Sequence, residues 1–175
     1  MVDPLILSRL FHWALFVVVA TLSLLVGTLP LDVGAANWPG PQMMLIMAIA
    51  WVVRRPDFVP IWLLAPIALA ADFLLMRPPG LWAALTVLAV EFLRSRAVAA
   101  REWPMALEWG IAASLMTLMA LSNRIFLGIF AVPQTPLGLD VQQLISSAIA
   151  YPIVLFVSVR LFGVRRPLTT EARLP

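Results

Sequence analysis

Cysteine and lysine are both absent from this 175-residue chain, and histidine occurs once. Without cysteine there is neither a disulfide nor a thiolate metal site, and the redox compartment cannot be read from it. Charge is scarce as well, at 12% of residues, so water is not the main solvent for this sequence. Enzyme signatures are also missing. There is no H-E-x-x-H of a metalloprotease and no G-x-S-x-G of a serine hydrolase. Asp72 is the one aspartate deep in an apolar run, so a paired-aspartate protease lacks its second acid. No glycine-rich phosphate loop appears, nor a cluster of acids to hold Mg²⁺. With no nucleophile, base and orienting group to assemble, the expectation is a protein that is not an enzyme and carries no cofactor.

What is present is hydrophobic length. Residues of the apolar set make up 62% of the chain, gathered into six stretches: Leu10–Leu29, Pro41–Val53, Ile61–Met76, Leu81–Leu93, Met105–Leu121 and Val141–Gly163. A spanning helix needs about 20 apolar residues. The second and fourth stretches hold only about 13, so they are expected to recruit flanking residues or to sit where the bilayer is thinned. The pattern predicts an all-α integral membrane protein, a six-transmembrane-helix bundle forming one domain over residues 1–175. A short basic tail, residues 164–175, follows the last span.

Orientation follows from arginine. Arg9, Arg54, Arg55, Arg94, Arg96, Arg101, Arg165, Arg166 and Arg173 fall on one side, against Arg77 alone on the other. Arg124 is ambiguous and Arg160 lies in the last turn of the sixth span. Short arginine-rich loops stay cytoplasmic, which predicts both termini inside. A pI near 11 therefore reports topology and contact with anionic lipid. Nucleic acid is not an expected partner, because there is no soluble basic face with interleaved aromatics. The seven tryptophans all lie within a few residues of a span boundary, where indole is favoured. Arg9, the first apolar run and Val33-Gly34-Ala35 resemble a signal peptide. The run is longer than the about 7 to 15 residues of a signal h-region, so a retained anchor is expected.

Proline punctuates the connections. Pro39-Gly40-Pro41 opens the second stretch, Arg54-Arg55-Pro56-Asp57 forms a tight turn, and Arg77-Pro78-Pro79-Gly80 turns the chain back. Ser122–Asp140 is the longest stretch expected not to span. Its Ile125–Phe130 part is expected to lie in the interface or to extend the fifth helix. Pro66 and Pro152 sit inside spans, where neighbouring helices satisfy the freed carbonyl. Ala106, Gly110 and Ser114 recur every four residues, a small-residue face suited to close helix contact. Contact within the bundle is expected there, and contact with a partner protein is the other reading.

A buried carboxylate at Asp72 costs on the order of 2.5–3.5 kcal/mol on insertion scales, so it requires a partner. Arg77 and Arg124 are the candidates, Arg124 the better placed. Glu91 and Arg94 have ion-pair spacing on one helix face. Glu108 and His12 read as interfacial polar residues.

Pro41-Gln42-Met43-Met44-Leu45 running to Trp51-Val52-Val53-Arg54-Arg55-Pro56-Asp57 resembles the second span and Arg-Pro turn of the rod shape-determining protein MreD family. Ala71-Asp72-Phe73-Leu74-Leu75 followed by Pro79-Gly80-Leu81 resembles that family's next segment, an aspartate near the span end and then a proline–leucine–glycine turn. Here Pro78-Pro79-Gly80 departs from that turn and keeps the glycine. The resemblance implies a non-enzymatic component of the bacterial inner membrane, part of the cell-elongation machinery that supports rod shape and lateral peptidoglycan synthesis. Its implied partners are an MreC-like bitopic membrane protein and, indirectly, MreB filaments and the elongation polymerase and transpeptidase. A homo-oligomer stays open. It implies structural or partner-surface roles for Asp72 and Gly80. A second reading is a small-molecule transporter or capture subunit like the S component of an energy-coupling transporter. Against it stands a thin polar interior, with Asp72, Asn123 and Arg124 as its strong members.

Overall fold

The computed structural model describes residues 4–28, 39–161 and 164. Val33-Gly34-Ala35, Trp38 and the tail arginines Arg165, Arg166 and Arg173 lie outside them. The described residues form six α-helices and no strand: α1 Pro4–Thr28, α2 Met43–Arg54, α3 Ile61–Leu74, α4 Leu81–Ser95, α5 Met105–Ile129 and α6 Leu137–Arg160. Within them, Leu7–Thr28, Met105–Ile129 and Leu137–Arg160 are long and apolar enough to cross a membrane. Their outer faces suit that solvent. Leu22, Val26, Leu118, Leu121, Ile153 and Phe156 are all exposed, far more apolar surface than a water-soluble protein tolerates.

The shorter helices differ from expectation in an informative way. α2 has 12 residues, about 18 Å of helix, and recruits no flanks. Proline bars extension at both ends, Pro41 just before it and Pro56 just after, since the residue before a proline resists helical geometry. Instead α2 sits at the centre, packed by α1, α4 and α6. Every residue from Met44 to Val53 is buried, which explains why its apolar character runs all the way round. Protein, rather than lipid, is its solvent.

The surrounding helices bury one stripe each. Phe16, Ala20 and Leu24 do so on α1, and Trp82, Ala83, Thr86, Ala89, Val90 and Leu93 on α4, with the 3.6-residue period of an amphipathic helix. Successive helices run in opposite directions. Arg9 at the start of α1 meets Asp57 beyond the end of α2, and Gln42 before α2 meets Gln143 near the start of α6. Arg9, Arg54, Arg55, Arg94 and Arg96 therefore gather at one end of the bundle. Arg77 and Arg124 occupy the other. α5 continues through Ile125 to Ile129, so the connection expected over Ser122–Asp140 shrinks to residues 130–136.

Pro152 shows how the bundle repairs its own backbone. A proline within a helix leaves the carbonyl four residues earlier without its donor. That carbonyl, Ala148 O, accepts the Trp109 indole N–H from α5 at 2.8 Å. Trp51 and Trp82 are likewise core residues rather than interfacial anchors. The Trp51 indole donates to Ser158 Oγ at 3.0 Å.

Candidate functional site

Polar groups concentrate at the two ends of the bundle. At the arginine-rich end, Glu108 is only 1% exposed. Its Oε2 accepts from Arg54 Nη2 at 3.3 Å and its Oε1 from the Tyr151 hydroxyl at 3.1 Å. This corrects the interfacial reading of Glu108. The residue shares a face with Ala112, Met116 and Met119, which are all buried, while Ala106 and Ser114 lie exposed on another face. Arg54 is thus held inside the bundle. Arg55 lies with its guanidinium 6.0 Å from the Phe58 ring centroid. His12 stacks on the other side of the same neighbourhood, 3.9 Å from Phe58 between centroids. Glu91 and Arg94 form the ion pair their spacing predicted, at 2.8 Å.

Among the described residues the small-residue stripe shows no close helix contact. Ala106 and Ser114 are exposed and Gly110 is half-buried. A Cβ added at Gly110 would meet nothing within 4 Å, so no described residue needs the glycine for packing. The stripe is left to the partner-contact reading.

At the opposite end, Asp72 is fully buried. Its Oδ2 accepts the backbone N–H of Gly80 at 2.9 Å and of Ala83 at 3.1 Å. Those are the N-cap and third residues of α4, two of the orphan donors that begin any helix. Gly80 has no side chain to cap with, and its φ of +90° lies in the region that favours glycine. The charge also suits the positive end of the α4 dipole. The expected partner Arg124 is elsewhere. Its Nη1 binds Asp140 Oδ2, and the Asp140 Oδ1 accepts from Thr135. An aspartate eight residues before a helix start is close enough to cap it directly, and backbone donors need no second buried charge.

Arg77 lies in the same turn, with its guanidinium 5.1 Å from the Trp82 ring centroid. Burial lowers its pKa from the ordinary arginine value, while Asp72 and Asp140 pull it back up. It stays charged. α2 is capped on the same principle as α4: the Gln42 N–H donates to Ser147 Oγ on α6 at 3.1 Å. Around these residues opens a cavity of about 430 Å³, lined among others by Gln42, Arg77, Asn123, Gln134, Asp140 and Gln143. The polar set at this end is therefore richer than the three residues expected.

No family model, curated protein or solved structure matches the chain. The functional reading thus rests on the residues themselves. Sequence reasoning placed Asp72 and Gly80 together by motif, and the hydrogen bond joins them. It missed the triad of Arg54, Glu108 and Tyr151. The available signal was the four-residue spacing of Glu108, Ala112 and Met116, which puts the acid on an inward face.

Proposed function

We propose that this chain is a non-enzymatic, multi-pass component of the bacterial cell-elongation complex in the inner membrane. It would bind an MreC-like bitopic protein and so link MreB filaments to the wall-building polymerase and transpeptidase. One observation carries the reading: Asp72 and Gly80, the residues on which the family resemblance rests, form a single structural unit. In that unit a carboxylate from one helix starts the next, which is the structural role the resemblance implies. The exposed stripe of Ala106, Gly110 and Ser114 offers a face where a partner helix can come close. Arginines gathered at one end suit the anionic inner leaflet.

Depletion is expected to convert rods into rounded cells, and the tagged protein is expected to bring down an MreC-like partner from detergent. Turnover of a lipid-linked wall precursor by the purified protein alone would defeat this reading.

The topology that accompanies it has six crossings with both termini cytoplasmic. α2, α3 and α4 would complete the set in spite of their length: α2 is sealed inside the bundle, while α3 and α4 present Trp62, Phe73, Leu88 and Phe92 on an apolar outer face. A periplasm-only reporter fused after Pro175 should stay silent. Activity there would reverse the orientation.

A further inference from the structure

The cavity at the end away from the arginine cluster has hydrogen-bonding capacity that the fold leaves unspent. None of the Arg77 guanidinium donors reaches an acceptor among the described residues; the group only lies over Trp82. The Asn123 amide in the same wall is likewise unengaged among them. The Gln42 amide in the wall is already committed, its Nε2 donating to Gln143 Oε1 at 2.9 Å. Asp140, the carboxylate in the wall, is already satisfied by Arg124 and Thr135. What remains is a planar cation and an amide in the wall of one cavity. Such a fork fits the oxygens of a phosphate in bidentate fashion. Trp82 at 8% exposure fixes the guanidinium in place by its ring face.

We infer that this cavity binds an anionic phosphate group, with Arg77 and Asn123 on its oxygens. A glycerol phosphate unit has this chemistry. It can arrive as the headgroup of an anionic phospholipid, since the cavity lies at the end of the helices where headgroups sit, or as a free soluble molecule. The volume falls within the about 300–1,000 Å³ of ordinary ligand sites. The inference is independent of the elongation-complex reading, whose tests concern cell shape and a protein partner.

The full-length protein in detergent would be titrated with dioleoylphosphatidylglycerol, dioleoylphosphatidylcholine and sn-glycerol-3-phosphate, with native mass spectrometry and thermal melts as readouts. Phosphatidylglycerol is expected to bind about tenfold or more tighter than phosphatidylcholine. Arg77→Gln should abolish that preference. Arg96→Gln, at an exposed arginine of the other end, should leave it intact. Asn123→Asp places a carboxylate in the wall and should weaken binding about tenfold, which keeps the test alive if Arg77→Gln fails to fold. Glycerol phosphate binding with the same dependence identifies a soluble ligand. Phosphatidylglycerol binding alone identifies the lipid. Binding of both probes that is unchanged in the folded variants, or no binding of either, overturns the inference.

Discussion

Glu108→Leu is expected to lower the melting temperature of the detergent-purified protein by on the order of 10 °C. The change leaves Arg54, with 15% of its side chain exposed, without the carboxylate opposite it, and takes the acceptor 3.1 Å from the Tyr151 hydroxyl. Removing one member of a buried ion pair costs about 3–5 kcal/mol, chiefly because the other charge stays buried. A shift of about 2–4 °C per kcal/mol holds for a chain of this size. Glu108→Gln should cost less, since the amide oxygen still accepts from Arg54 and the new Nε2 can donate to the Tyr151 oxygen once that hydroxyl turns. The triple variant Arg54→Met, Glu108→Leu, Tyr151→Phe should regain part of the loss, because apolar replacements of similar volume remove the desolvation penalty of the Arg54–Glu108 pair. A Glu108→Leu protein that melts with the wild type would show that the acid is not sealed inside the bundle. A triple variant as unstable as the single one would show that the polar triad does more than satisfy itself.

The helical class and the gathering of arginines at one end were legible because both are one-dimensional properties: hydropathy along the chain, and charge between apolar runs. Cytoplasmic placement of that end is an extension of the same pattern. The ion pair of Glu91 and Arg94 was legible for the same reason, being three residues apart on one helix. Asp72 was recognisable as costly to bury, and of the two arginines expected near it Arg77 is close enough to feel its charge while Arg124 pairs with Asp140. Its hydrogen-bond partners were not legible, because backbone N–H groups carry no letter in the sequence. Trp51 illustrates the converse failure. It sits at the edge of its apolar run, where interfacial anchors belong, yet α2 is so short and so central that its edge is still core. Glu108 and Arg54 lie 54 positions apart, and only the packing of α5 against its neighbours brings them together. What depended on one helix was readable, and what depended on which helix lies in the middle was not.

Asp72 gives the sharper test of how the opposite end is built. Asp72→Leu is expected to reduce the amount of folded protein in the membrane severely. The part-buried N–H of Gly80 and the buried N–H of Ala83 lose their acceptor, at about 1–3 kcal/mol for the buried one. Asp72→Asn should be milder. Its carbonyl oxygen can take the same two hydrogen bonds, though the charge that favours the start of α4 is gone and the amide nitrogen falls where Oδ1 has no hydrogen-bond partner. Gly80→Ala isolates the remaining element. A methyl there meets nothing within 4 Å, so any loss comes from a left-handed backbone, about 1–2 kcal/mol, with the capping bonds kept. The expected order of damage is therefore Leu at 72 first, with Asn at 72 and Ala at 80 well behind. Membrane abundance and rescue of rod shape would be measured side by side for the three variants. If the cap is structural, rescue tracks abundance throughout. Full abundance of Asp72→Asn with no rescue would instead require a carboxylate that titrates or contacts a partner, and the capping role would then be secondary to it.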